Sequence, residues 1–283
     1  MSQRLFIFGL GFGGLEIARQ AKAEGWPVGG SVTTEEKAAQ LRAQGIPATA
    51  SPRVDAGATH VLSTVPPTPE GDPVVAQASA MKPAWLGYLS TTGVYGDRQG
   101  GWVDERATPA PGQPRSKYRL EAERAWQALG AKVGAPVHIF RLPAIYGPGR
   151  SAFEQVREGR AQRIDKPGQL FSRIHVEDLA STVLASMKRP APLPGAIYNV
   201  CDDDPAPQAD VIALACELLG TPALPLVPYD EAARRMSDMA RSFYAENRRV
   251  RNDRIKRELG IALRYPSYRD GLRAILAGRK DDG

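Results

Sequence analysis

The sequence predicts an α/β fold: a doubly wound parallel sheet that carries a smaller, mainly helical C-terminal lobe. Three observations carry this. The first two-thirds of the 283 residues alternate short β-rich runs with helical stretches, the pattern of a sheet with helices on both faces. A glycine-rich turn, Gly9-Leu10-Gly11-Phe12-Gly13-Gly14, follows an apolar run and opens a helical pattern. Beyond about residue 204 the alternation weakens into helices joined by Pro-rich connections.

Taken in order, strands are expected at Leu5 to Phe8, Val28 to Val32, His60 to Thr64, Ala84 to Ser90 and Val137 to Arg141, with a late return at Ala196 to Val200. Helices are expected at Leu15 to Glu24, Thr34 to Ala43, Pro73 to Ala80 and Arg115 to Ala131, then Asp210 to Leu219 and Tyr268 to Ala277 in the lobe. Dense Pro and Gly punctuation marks loops at Val65-Pro66-Pro67, Thr108 to Pro114, Pro143 to Gly149 and Pro190 to Gly195. Three of these adjoin elements that would rim a ligand cleft, because ligands of such sheets bind beyond strand ends. The expected division is a dinucleotide-binding domain over 1–150, to which 171–204 return, and a substrate-side lobe from 151–170 and 205–283.

Composition narrows the class. Apolar residues make up 42% and charged residues 24%, which argues against disorder, and no apolar run approaches a bilayer span. The start of the chain has no signal-peptide pattern, so the cytoplasm is the expected location. Two cysteines, Cys201 and Cys216, lack a partner pattern for a disulfide framework or a metal, so no metal site is expected. The net charge of +6 is concentrated in Arg248-Arg249-Val250-Arg251 and Arg254-Ile255-Lys256-Arg257. That run is read as a solvated helix face rather than a nucleic-acid surface, since no aromatic-interleaved or finger-like pattern accompanies it. No nucleic acid or membrane partner is expected.

The glycine-rich turn follows a strand and opens a helix, the context in which G-x-G-x-x-G binds a dinucleotide in a Rossmann fold. Gly9 would permit the tight turn, Gly11 the approach of a pyrophosphate, and Gly14 close helix–strand packing, with Phe12 and Gly13 beside the phosphates. Thr64, Val65 and Pro66 are further expected cofactor contacts. The residue that discriminates NAD from NADP belongs near the end of the second strand. Neither the expected acid nor an Arg stands there. The segment Ser31-Val32-Thr33-Thr34-Glu35-Glu36-Lys37 offers a capping box between Thr33 and Glu36, while Ser31, Thr33, Thr34 and Lys37 would jointly hold a 2′-phosphate. The cofactor is read as NAD(P), with a slight lean to NADP.

Further motifs resemble the extended and atypical short-chain dehydrogenase/reductase superfamily, the NAD(P)-dependent epimerase/dehydratase group. Leu89-Ser90-Thr91-Thr92-Gly93-Val94-Tyr95-Gly96-Asp97 is similar to S-[ST]-x-x-V-Y-G, and Arg141-Leu142-Pro143-Ala144-Ile145-Tyr146-Gly147-Pro148-Gly149 to R-x-x-x-[IV]-Y-G-P-G. Arg173 to Ala180 resembles the I-H-V-x-D-[LV]-A segment, and Ile197-Tyr198-Asn199-Val200 the later Y-N-V strand. The resemblance implies an oxidoreductase or epimerase-like enzyme acting on a small polar substrate. It assigns Thr91 to the reacting oxygen, places Thr92, Tyr95 and Tyr146 in the substrate cleft, and makes His175 structural. Relatives that dimerise through the helix after residue 114 make a homodimer an expectation.

One part of the pattern is missing. The superfamily uses Y-x-x-x-K on a helix, where Tyr delivers the proton and Lys lowers its pKa and holds the ribose. Aligning Leu120-Glu121-Ala122-Glu123 with the downstream L-x-A-E puts Arg115 at the Tyr position and Arg119 at the Lys position. Arg115, Arg119, Ala122 and Trp126 follow one helix face. Arg119 would replace Lys at the ribose. Arg115 stays protonated and cannot act as the general acid, but it would bind an anionic group. The alternative is a non-catalytic NAD(P)-binding sensor or regulatory protein.

Overall fold

The computed structural model describes residues 3–50, 57–80, 83–189 and 196–278. Seven parallel strands form the central sheet: β1 (Leu5–Phe8), β2 (Val28–Ser31), β3 (Ala48–Thr49), β4 (His60–Ser63), β5 (Trp85–Thr91), β7 (Val137–Leu142) and β11 (Ala196–Asn199). Their order is β11-β7-β5-β4-β1-β2-β3, which places a topological switch point between β1 and β4, where ligands of such sheets bind. Residues of β1 alternate between two cores, as a period of two requires. Leu5 and Ile7 pack with α1 (Phe12–Ala23), α2 (Glu35–Ala43) and α6 (Val176–Met187), while Phe6 and Phe8 join the core that includes Trp126 of α4 (Pro114–Val133). The short helix α3 (Val75–Ala78) lies on the Phe6 side with α4. Burial on both faces explains why these strands read as continuous apolar runs.

Three two-stranded parallel pairs lie off this sheet: β8 (Ala144–Tyr146) with β10 (Arg173–His175), β9 (Arg163–Asp165) with β12 (Leu226–Pro228), and β6 (Trp102–Val103) with β13 (Arg249–Val250). Helices α5 (Ala152–Arg157), α7 (Gln208–Leu219) and α11 (Tyr268–Gly278) bury a third core around Phe153, Ile212 and Leu272. Two short helices, α8 (Tyr229–Ala233) and α9 (Asp238–Tyr244), follow β12. Helix α10 (Asp253–Leu259) instead returns to the sheet, with Ile255 fully buried in the core on the α1 side.

All six strands expected from sequence are present within a residue or two. The helix expected at Pro73 to Ala80 is reduced to α3, and Asp72 holds the turn before it by accepting from the backbone N–H of Val74 and Val75. The Pro190 to Gly195 loop lies outside the described residues. The basic run is not one helix face: Arg249 sits on β13, and Arg249 and Arg251 place their guanidinium groups over the Trp102 ring at 5.1 and 5.0 Å. Only its second half lies on α10, where Arg254 and Arg257 pair with Glu258.

Candidate functional site

The three motif glycines have separate reasons to be glycine. Gly9 has φ +87°, and its carbonyl accepts from the Thr64 hydroxyl at 2.6 Å. A Cβ on Gly14 would stand 2.3 Å from that same carbonyl oxygen, so Gly14 lets α1 pack against the turn. Gly11 is different: a Cβ there meets nothing within 4 Å. It caps α1 without a side chain, so the N–H groups of the first turn face outward with the positive end of the helix dipole. That open, donor-rich space suits a pyrophosphate.

The space continues as a cleft of about 660 Å³. Of the residues expected at a site, Gly11, Phe12, Gly13, Gly14, Thr64, Pro66, Thr91, Thr92, Arg115 and Arg119 line it. Gly9 and Val65 stand behind it and support the turn; Val65 packs partly buried against the core. Thr33 and Thr34 are exposed beyond β2 and do not line the cleft. The capping residue is Thr34 rather than Thr33, because Thr34 keeps an extended backbone while the helix begins at Glu35, and its hydroxyl accepts from the Lys37 N–H at 3.3 Å. Ser31 is buried and accepts from the Gly9 N–H, which removes it from the surface patch around Lys37.

Two expected substrate contacts are corrected. Tyr95 is fully buried; its phenol donates to Asn199 Oδ1 at 2.7 Å, and the Arg141 guanidinium lies 4.8 Å from its ring centre. Tyr146 lines a separate neighbouring cavity of about 370 Å³, and its hydroxyl points to the Ser267 carbonyl. Both reside where the R-x-x-x-[IV]-Y-G-P-G and V-Y-G segments turn inward. Burial pushes the pKa of both phenols up, so both stay protonated at neutral pH.

These residues belong to a network that the motif reading did not assign. Arg141 of β7 forms a two-pronged pair with Glu123 of α4 at 3.0 and 2.7 Å, each side chain only 3% exposed. Ser90, which lines the cleft, donates to Glu123 at 2.5 Å. Tyr95 and Asn199 extend the chain of contacts, and the Asn199 N–H donates to Glu105 at 2.8 Å. The signal was present: Glu123 lies four residues beyond Arg119 on the inward face, and Arg141 ends an apolar strand, each a charge that burial obliges to pair.

The chemistry-bearing end of the cleft is arginine-rich. Thr91 ends β5 and accepts from the Gly93 N–H at 3.1 Å, which fixes its hydroxyl at the cleft wall. Arg119 donates to the Leu89 carbonyl at 2.6 Å and stands 3.3 Å from the Tyr88 hydroxyl. Arg115 is exposed, donates to Ser242 at 3.1 Å, and lies 4.3 Å from the Phe243 ring centre. Among the described residues, Arg150 and Arg248 bring to four the guanidinium groups that line the cleft against one carboxylate, Glu246, and no tyrosine lines it. Three side chains on its wall keep a buried polar atom without a partner: Ser172 Oγ, Glu246 Oε1 and Arg248 Nε. His175 is buried, caps α6 by accepting from the Glu177 N–H, and is pushed down to about 4 by burial. Among the described residues no group of His, Cys, Asp and Glu is arranged to hold a metal ion, and no helix is long and apolar enough to cross a membrane.

Comparison with known proteins agrees with this architecture. The chain is 46% identical to a functionally unknown conserved protein of known structure from Silicibacter pomeroyi DSS, with a TM-score of 0.90 over 99% of this chain and 100% of that one. It is 28% identical to "Protein YeeZ" of Escherichia coli (strain K12), across 70% of this chain and 77% of that protein. A 3-diazoavenalumate denitrifying reductase from Streptomyces is 28% identical across 47% of this chain and 45% of its own. UDP-glucuronic acid 4-epimerase from Bacillus cereus, solved in complex with NAD, shares the fold with a TM-score of 0.77 at 16% identity, over 99% of this chain and 97% of that one. The NAD dependent epimerase/dehydratase family model matches residues 72–201, which hold Thr91, Arg115, Arg119 and the buried network. Over residues 72–201 the chain is similar to the NAD dependent epimerase/dehydratase family.

Proposed function

We propose that the cleft binds a nicotinamide dinucleotide and that the protein is an oxidoreductase or epimerase-like enzyme for a small anionic substrate, working without the tyrosine–lysine pair. The observation that carries this reading is the single cleft joining Gly11 to Gly14 with Thr91, Arg115 and Arg119, strongly positive and free of phenols. The bound cofactor would supply or accept a hydride. The chain's own residues then hold the substrate oxygen at Thr91, neutralise an anionic group at Arg115, and anchor the ribose side at Arg119. Proton delivery falls to solvent or to the substrate itself, since a guanidinium does not release its proton.

The exposed Thr33, Thr34 and Lys37 beyond β2 favour NADP over NAD in this reading, because Glu35 is engaged by Arg42 instead of standing free for a ribose. The cytoplasm is the compartment that suits the two free, buried thiols. The absence of a phenol also supports a second reading, a binding protein that senses the dinucleotide without turnover.

Turnover of a reactive dione by the wild type, by Arg115→Tyr with Arg119→Lys, and by that pair carrying Thr91→Ala separates the two readings. A disabled proton donor predicts slow wild-type reduction and a gain of roughly a hundredfold or more in the restored pair, lost again without Thr91. A rapid wild type that slows in the restored pair would show that Arg115 and Arg119 serve a different working mechanism. No turnover by any variant, with cofactor binding intact, would favour the sensor.

A further inference from the structure

Helix α9 presents an unusual edge to the cleft. Its last residue, Tyr244, is buried and holds the helix in place with its ring edge-on to Phe171 at 5.3 Å and against Tyr229 at 5.3 Å. The preceding residue, Phe243, is turned outward and is 54% exposed, yet it lines the cleft together with Phe171. A large exposed aromatic side chain loses the favourable burial available to it. The Arg115 guanidinium lies over its ring, 4.3 Å from the centre. Arg115 thereby spans from α4 to α9 at the mouth of the cleft, tied also to Ser242.

We propose that Phe243 and Arg115 form the specificity clamp for a planar aromatic acid. The substrate ring stacks against Phe243, with Phe171 deeper on the same wall, and its carboxylate takes the Arg115 fork in place of the Ser242 hydroxyl. This deepens the reading of the cleft as an anionic-substrate site and rests on it. Aromatic faces prefer aromatic partners beyond what apolar area alone provides, and a planar guanidinium recognises a carboxylate through paired hydrogen bonds while keeping its ring contact. An aliphatic acid would satisfy only the charge, and an uncharged aromatic ketone only the ring.

The test is calorimetric titration of three probes with and without NADP+: phenylglyoxylate, the aliphatic 3-methyl-2-oxobutanoate, and the uncharged 1-phenyl-1,2-propanedione. NADP+ itself is titrated first, so failure of the cofactor reading is seen separately. Phenylglyoxylate should bind at least about tenfold more tightly than either other probe, and Phe243→Leu and Arg115→Gln should each weaken it by roughly tenfold while leaving NADP+ affinity unchanged. Phe243→Leu keeps the apolar bulk and removes the π face, and because the site is exposed the variant folds. Equal binding of the aliphatic acid, no binding of phenylglyoxylate, or indifference to both variants overturns the proposal. So does a dimer in sedimentation that Phe243→Leu dissociates, which would make the exposed ring a contact between copies of this chain.

Discussion

The two sides of the cleft are built from different materials. The side formed by Gly9 to Gly14 is backbone: its shape follows from a positive φ, a carbonyl held by Thr64, and a helix start packed so closely that Gly14 has no room for a Cβ. The side formed by Arg115, Phe243, Glu246 and Arg248 is long side chains reaching in from α4, α9 and the segment before β13. The buried pair Glu123–Arg141 supports the cleft wall through Ser90, which donates to Glu123. In the proposed reading, the cofactor would be held by main-chain geometry, whereas the substrate would be met by side chains that can be exchanged without disturbing the fold. Arg115 and Glu123 lie on the same helix, two turns apart, and illustrate both cases.

The largest effect should come from breaking the support. Glu123→Ala leaves the Arg141 guanidinium buried without its carboxylate and should cost about 3–5 kcal/mol. Arg115→Ala, on the exposed end of the same helix, should stay within about 0.5 kcal/mol. Urea denaturation of the two variants decides it, and similar losses would dissolve the distinction between support and cleft.

Acid should also act on the scaffold rather than on the cleft. His138 and His175 are each pushed down to about 4 by burial, against 6.5 in the unfolded chain. Between these values the unfolded chain binds more protons. Their contribution is therefore complete above pH 6.5 and is lost as pH falls towards 4, amounting to roughly 3 kcal/mol per histidine at most. Stability measured from pH 7 to 4.5 should fall, and His175→Gln should reduce the slope by close to one proton. A His175→Gln profile parallel to that of the wild type would show that this ring is not held neutral by the fold.

A smaller contrast lies inside the glycine turn. Gly14→Ala forces a methyl group against the Gly9 carbonyl and should destabilise by about 1–3 kcal/mol, whereas Gly11→Ala enters open space and should be close to neutral in thermal melts. A modest effect is expected at Thr34, where alanine removes a helix cap worth about 1 kcal/mol. If Thr34→Ala instead changes NADP affinity with no loss of stability, the hydroxyl belongs to the cofactor site and not to α2.

How legible this was in the sequence follows the same division. The strands and the turn could be read because buried parallel strands are apolar runs and because a φ of +87° and a missing Cβ demand glycine at fixed spacing. The family segments around Tyr95, Arg141 and Asn199 could be recognised, but recognition did not reveal direction: the V-Y-G tyrosine turns into the core, where Asn199 and Arg141 satisfy it. Phe171, Ser172, Phe243 and Arg248 were not legible as cleft residues. They sit in short, weakly patterned segments, and only tertiary packing of β10, α9 and β13 brings them to the strand ends of the sheet.

The most direct test of the account is dinucleotide binding by Gly11→Val. Titration of NADH and NADPH into the wild type, followed by melting temperature, should show stabilisation by mass action. The Gly11→Val protein should melt within a few degrees of the wild type, because a Cβ there meets nothing within 4 Å, and should show no shift with either cofactor, because that space is the one a pyrophosphate would take. A folded Gly11→Val protein that retains the wild-type shift would contradict the placement of the cofactor at this turn.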